Sequence, residues 1–199
     1  MSINPYDYEN RQDTLPISWN DFHGICRALA KAVSAYQPDL ILAIGRGGFY
    51  PGALISHLLR TEIYPIRLSR RVDDVVVYEE PQWIIRPPDA VKGQRVLVVD
   101  EISSTGETLR MVRAELLGMG AREVRGAVMY AHSWGVESPD YIGIISDALI
   151  MNPWDREICQ GGEIIPHPEY VSALTQQGIA SDPWFLIPAA PYEAAKRAP

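Results

Sequence analysis

Apolar positions recur at helical spacing early in the chain. Phe22, Ile25, Cys26, Leu29, Ala30 and Val33 share one face of a 3.6-residue period, which predicts an amphipathic helix over 20–36. Ser18 followed by Asp21 resembles a capping box with Asp in the place of Glu, and Pro38-Asp39 ends the segment. Leu40–Ile44 is a continuous apolar run, the pattern of a strand buried on both faces. Gly45-Arg46-Gly47-Gly48 reads as a tight loop, and Pro51 suits the first turn of a helix over about 51–60. Glu62–Leu68 fits a further strand. The pattern then breaks over 69–94, a charged stretch with prolines at 81, 87 and 88, where Val75–Tyr78 and Gln82–Ile85 form either a hairpin or a mobile arm. Arg95–Val99 is again a buried strand, ending at Asp100-Glu101 and a loop over Ile102–Gly106. A helix from about Glu107 to Met119 follows, with Gly120 as its C-cap, and Val124–Ala131 and Tyr141–Ile150 supply two more strands. Strands alternating with helices predict an α/β fold with a mainly parallel sheet flanked by helices.

Composition narrows the class. The chain has 199 residues, a length that suits a single domain over 1–199. With 18 Lys+Arg against 25 Asp+Glu its formal net charge is −7, opposite to the basic surplus of a non-specific nucleic-acid binder, so no nucleic-acid partner is expected. No apolar run approaches the roughly 18–20 residues of a membrane helix, so no membrane partner is expected either. The two cysteines, Cys26 and Cys159, form no metal-binding spacing, and Cys26 falls on the apolar stripe of the first helix. Met1–Asp13 is polar and acidic without the apolar core of a secretory signal, so a cytoplasmic location is the expectation. Prolines gather after Pro153, as in a tail that wraps a core instead of building a second one.

The chemistry concentrates in Arg95–Leu109, RVLVVDEISSTGETL. A hydrophobic strand delivers two adjacent carboxylates at its carboxyl end, where open α/β sheets bind ligands. The loop Ser103-Ser104-Thr105-Gly106 and a helix start follow. Unpaired N–H groups, a favourable dipole and short hydroxyl side chains suit a phosphate there. The acids then suit sugar hydroxyls or a divalent cation. A strand-to-helix turn with a capping acid and no ligand is the alternative reading of the same residues.

The run Val98-Val99-Asp100-Glu101-Ile102-Ser103-Ser104-Thr105-Gly106-Glu107-Thr108-Leu109 resembles the phosphoribosyl-pyrophosphate (PRPP) motif of the type I phosphoribosyltransferases. Leu42–Gly52 is similar to that family's pyrophosphate loop. Within the family the chain resembles most the 6-oxopurine branch, the bacterial xanthine-guanine enzymes, also at Pro51-Gly52-Ala53-Leu54 and Asn152-Pro153-Trp154-Asp155. The likeness covers roughly 15–160. It implies a parallel sheet flanked by helices, a flexible arm over about 69–94, and a small C-terminal hood with the Pro-rich tail over about 150–199. It implies a Mg²⁺-dependent transferase moving ribose 5-phosphate from PRPP to a nitrogenous base, purine-like by preference, in a homo-oligomer (dimer or tetramer). Asp100 and Glu101 would hold the ribose hydroxyls, directly or through Mg²⁺. Ser103, Ser104, Thr105, Gly106 and Thr108 would wrap the 5-phosphate. Gly45, Arg46 and Gly47 would bind pyrophosphate, with a cis peptide at Gly45–Arg46, and Arg46 with Arg70 or Arg71 would neutralise it. His132, Leu149, Ile150 and Asp155 would meet the base.

The chain departs from the 6-oxopurine pattern in its acceptor half. Ser104 stands where those enzymes carry an aspartate that helps move the base proton. His132 takes the place of a lysine that reads the 6-oxo group, Leu149 that of a stacking aromatic, and Ser69-Arg70 that of a Ser-Tyr pair. The expectation is an intact PRPP half with poor turnover of guanine, xanthine or hypoxanthine. The rival reading is a regulatory protein of the same fold that binds PRPP or a nucleotide without efficient transfer.

Overall fold

A computed structural model of the protein describes residues 13–72 and 75–179. The N-terminal segment read as lacking a signal, up to residue 12, and the end of the Pro-rich tail, 180–199, lie outside the described residues. The described chain forms two compact units, 13–18 with 148–179, and 19–147.

A short strand, β1 (Thr14–Pro16), opens the smaller unit. In the larger one, α1 (Trp19–Val33) starts directly after Ser18 and buries Phe22, Cys26, Leu29, Ala30 and Val33, the stripe that the periodicity picks out. A single 3-10 turn, Ser34–Tyr36, finishes it. Then come β2 (Leu40–Ile44), α2 (Phe49–Leu59), β3 (Ile63–Ser69), two-residue strands β4 (Arg71–Val72) and β5 (Val75–Val76), β6 (Gln82–Ile85), β7 (Arg95–Ser103), α3 (Glu107–Gly118), β8 (Glu123–Ala131) and β9 (Tyr141–Ile145). The smaller unit resumes with β10 (Leu149–Met151), β11 (Glu157–Gln160), β12 (Glu163–Pro166) and α4 (Pro168–Gln176). No helix among the described residues is long and apolar enough to cross a membrane.

The larger unit is a six-stranded sheet in the order β6-β3-β2-β7-β8-β9. All its pairs are parallel except β3 with β6. Leu40, Leu42, Ile44, Val96 and Val98 pack with Leu109, Val112 and Leu116 of α3 on one face. On the other face Gly52 brings α2 so near to β2 that an added Cβ would lie 2.7 Å from the Cβ of Ala43. Cys26 is fully buried under α1, and burial pushes its thiol up to about 12, which makes it a packing residue and not a nucleophile.

Three sequence expectations shift. Of the run Val75–Tyr78 only Val75–Val76 is a strand, and it pairs with Arg71–Val72, whereas Gln82–Ile85 pairs antiparallel with β3, through Leu68↔Trp83 and Ser69↔Gln82. The edge of β3 would otherwise leave its backbone groups unpaired. The carboxylate strand runs on to Ser103, because Ile102 and Ser103 still pair with Tyr130 and Ala131. The run Tyr141–Ile150 is two strands: Tyr141–Ile145 pairs with β8, and Leu149–Met151 pairs with β1.

Asp39 ties the start of β2 to the start of β7. It accepts the Arg95 backbone N–H at 2.8 Å and its guanidinium at 3.2 and 3.3 Å. These bonds hold its carboxyl below the usual range. A lowered folded pKa gives stability that is present above the unfolded value, about 3.9, and lost as pH falls through the folded value. Asp39→Asn is therefore expected to lower Tm at pH 7, with the gap to the parent narrowing as pH falls below about 3.9. A pH-independent gap would contradict this.

The smaller unit has its own core of Leu149, Met151, Tyr170, Ala173 and Leu174, with Ile179 against it. Arg156 donates to the Ile17 carbonyl at 2.6 Å, and the Tyr170 hydroxyl to the Asp155 carboxylate at 3.2 Å.

Candidate active site

Because β2, β3, β7 and β8 are parallel, the loops that follow them open at one edge of the sheet. These loops are Gly45–Gly48, the arm that starts at Arg70, Ser104–Gly106, and the turn after Ala131. Every polar residue that the motifs single out in this unit therefore lies on that edge, as strand polarity requires.

The first two motifs meet directly. The peptide between Gly45 and Arg46 is cis. A Cβ at Gly47 would lie 2.6 Å from Oε2 of Glu101 and closer still to the rest of that carboxylate. One at Gly48 would lie 2.8 Å from the Val99 carbonyl oxygen and 2.9 Å from the Asp100 Cα. At Gly48 the neighbours are backbone atoms, so no larger residue fits without displacing the end of β7, whereas a side chain at Gly47 would have to push the Glu101 carboxylate aside.

Asp100 is only 8% exposed. It accepts the Glu101 backbone N–H at 2.9 Å. Burial, and next the neighbouring Glu101, hold its carboxyl well above the usual range. A raised folded pKa gives stability that is full below the unfolded value, about 3.9, and is lost as pH rises through the folded value. Asp100→Asn is therefore expected to raise Tm of the ligand-free protein at pH 7, with no gain near pH 4. An unchanged or lower Tm at pH 7 would count against this. A carboxylate kept where it destabilises the fold makes Asp100 a candidate site residue.

After Ser103 the chain turns through Ser104 and Thr105 to Gly106, which sits at φ 74° and precedes the first turn of α3. Its conformation suits glycine, and a Cβ there would also run into Ser138. Ser138 accepts from Arg110 Nη1 at 2.8 Å. The underside of the loop rests on the turn after β8. Ser103 Oγ donates to the Gly135 carbonyl at 2.8 Å, and the His132 N–H donates to the Ser103 carbonyl at 3.1 Å. A Cβ at Gly135 would collide with the carbonyl oxygens of Ser103 and Ser104. Gly135 and Ser138 thus shape the loop from below. Sequence reasoning missed both, because nothing in a linear pattern links them to a loop some thirty residues earlier.

The remaining candidates fall differently. Arg70 forms an ion pair with Glu107, the first residue of α3. The side chain of Arg71 lies outside what the structure describes. His132 is 4% exposed. Its Nδ1 lies 2.7 Å from the Ser146 carbonyl, which only accepts, so that nitrogen carries a hydrogen. Its ring stacks on Trp134 with centroids 4.9 Å apart. Leu149, Ile150 and Asp155 belong to the smaller unit. Leu149 and Ile150 are buried there, Leu149 in the core under α4, while Asp155 is exposed and bonded to Tyr170. A leucine suits that place because it fills the unit's own core.

Comparison with known proteins places this geometry. The hypoxanthine-guanine phosphoribosyltransferase of Saccharomyces cerevisiae is 34% identical over 119 residues, 50% of this chain and 53% of that protein, so the chain spans about half the length of that relative. The xanthine-guanine phosphoribosyltransferase of Idiomarina loihiensis is 27% identical over 145 residues, 71% of this chain and 87% of that one. The crystal structure of a purine phosphoribosyltransferase from Pyrococcus horikoshii superposes with a TM-score of 0.64 at 30% identity, covering 72% of this chain and 95% of that one. The model of the phosphoribosyl transferase domain matches residues 18–159, which takes in both loops, the carboxylate pair and the sheet that carries them, and the chain belongs to that family.

Proposed function

We propose that the protein transfers ribose 5-phosphate from PRPP to a purine or purine-like base and releases pyrophosphate. The observation that carries this reading is the approach of Gly47 to the Glu101 carboxylate, too near to leave room for a Cβ, which brings the pyrophosphate loop beside the acid pair. In this reading the N–H groups and hydroxyls of Ser104–Thr108 take the 5-phosphate at the start of α3. Asp100 and Glu101 take the ribose hydroxyls. Gly45–Gly47 and the Arg46 guanidinium take the pyrophosphate, whose negative charge grows as the C1–O bond breaks. His132 closes the wall beyond β8.

The residues fit Mg²⁺ that arrives with its substrate. Two adjacent carboxylates are hard oxygen donors, and among the described residues no group of three ligating side chains gathers. Asp100 and Glu101 would hold the ion, and PRPP oxygens would complete its shell. When bound, it would supply further neutralisation of the leaving pyrophosphate. The test is a panel of guanine, xanthine, hypoxanthine, adenine and pyrimidine bases incubated with PRPP and Mg²⁺, with pyrophosphate release as the readout. Release with no base of the panel, despite PRPP binding, would overturn the reading.

The same proposal includes a homo-oligomer. The α2 sequence FYPGALISHLL carries no charged residue apart from His57. It buries Ile55 against the sheet yet leaves Tyr50 and Leu58 each 42% exposed. A helix apolar on both faces calls for cover on both, and a second copy of the chain is the proposed cover. Leu58→Glu is expected to shift sedimentation of the native protein to the monomer. A parent chain that already sediments as a monomer would refute this.

A further inference from the structure

Glu107 is out of place for a phosphate loop. It lies between Gly106 and Thr108, at the first position of α3, where the reading above puts the dianionic 5-phosphate. Its backbone N–H turns towards Thr105 Oγ1 at 3.4 Å, so the residue is part of the loop and not merely beside it. An uncompensated carboxylate there would repel the ligand.

The structure supplies the compensation from the arm. The Arg70 guanidinium is ion-paired with Glu107, with the two side chains 21% and 34% exposed, so solvent screens the pair only in part. The main chain of Arg70 is held as well, since its carbonyl accepts the N–H groups of Val77 and Tyr78 at 2.8 and 3.1 Å. The other limb of the arm reaches the same helix through a more exposed pair: Arg86 Nη1 donates to Glu115 Oε1 at 2.8 Å, two helical turns beyond Glu107. The next cation near the loop, Arg110, is engaged with Ser138.

We propose that Arg70 works on the phosphate loop by neutralising Glu107, as a positioning and charge-balancing residue, and that it is not a pyrophosphate ligand. The proposal rests on the reading of Ser104–Thr108 as the phosphate site. It predicts an order of affinities set by net charge at the loop. With both residues the pair sums to zero. Without Arg70 it is −1, without Glu107 it is +1, and without both it is zero again.

The probe is ribose 5-phosphate, which carries the phosphate and has no pyrophosphate, titrated calorimetrically at low salt. Arg70→Ala is expected to weaken it about tenfold, the size of one unit charge several ångströms away at a protein surface. Glu107→Gln is expected to tighten it several-fold. The double variant is expected to return to within about twofold of the parent, the signature of coupled residues, and Arg70→Lys to preserve affinity. Two results overturn the proposal: Arg70→Ala leaving ribose 5-phosphate unchanged while weakening inorganic pyrophosphate, or a double variant as weak as Arg70→Ala. A parent chain that binds neither ribose 5-phosphate nor PRPP overturns the loop assignment and this proposal with it.

Discussion

Thr105→Asp is expected to abolish PRPP binding while leaving the fold as stable as before. Thr105 sits in the turn before Gly106, and its Oγ1 accepts the N–H of Glu107. An aspartate keeps that bond, since a carboxylate is at least as good an acceptor near a helix start. Tm is therefore expected to stay level or rise slightly. The ligand meets the opposite effect. A carboxylate about 4 Å from a phosphate costs about 4 kcal/mol at the effective dielectric of a protein surface, which is about 10³-fold in affinity. Arg70 is already paired with Glu107, so its charge does not absorb the addition. Calorimetric titration with PRPP and Mg²⁺ reads the binding, and a thermal melt reads the fold. Unchanged PRPP affinity would show that the phosphate sits elsewhere.

Ser104→Asp is expected to raise kcat with guanine, xanthine or hypoxanthine by about 10²–10⁴-fold, the range that one positioned proton acceptor supplies. A purine must shed a ring proton as its nitrogen bonds to the sugar, and a serine hydroxyl does not take it at neutral pH. The backbone at 104 is held from below by Gly135, so a new side chain there starts from a fixed position. The added charge lies beside the phosphate loop, so KM for PRPP is expected to rise, and the gain is read in kcat. Two further exchanges towards the 6-oxopurine pattern are not expected to help. His132→Lys would bury an ammonium where His132 now bonds Ser146, and Leu149→Trp would overfill the core around Tyr170 and Leu174. Efficient 6-oxopurine turnover by the parent chain, unaffected by Ser104→Asp, would show that the proton leaves by another route.

Much of the larger unit was legible in the sequence, for a local reason. The stripe of α1 and the continuous apolar runs of β2 and β7 reflect burial, which acts residue by residue, so period and run length carry it. Glycines marked the loop after β2 and the start of α3, because only certain residues adopt those dihedrals or make those close approaches, while the expected C-cap Gly120 lies one residue past the actual cap, Met119. The PRPP motif was legible for the same reason: strand, acids, loop and helix start are consecutive, so the chemistry is written in one segment.

What the tertiary structure decided are relations between distant segments. Pairing in the arm depended on which edge lacked a partner, and the open side of β3 took Gln82–Ile85 away from Val75–Val76. The run Tyr141–Ile150 divided because its halves answer to different strands, β8 and β1, in different units. The family resemblance implies an acceptor residue at Leu149, which the structure places in the core that α4 covers. Gly135 and Ser138 became visible only as the surfaces that a Cβ would strike. Arg70 and Glu107 could be read one at a time as a phosphate cation and a helix-start acid. Their pairing reverses the role of Arg70, and that pairing exists only because the arm folds back on α3, where Coulomb attraction acts through space and not along the chain.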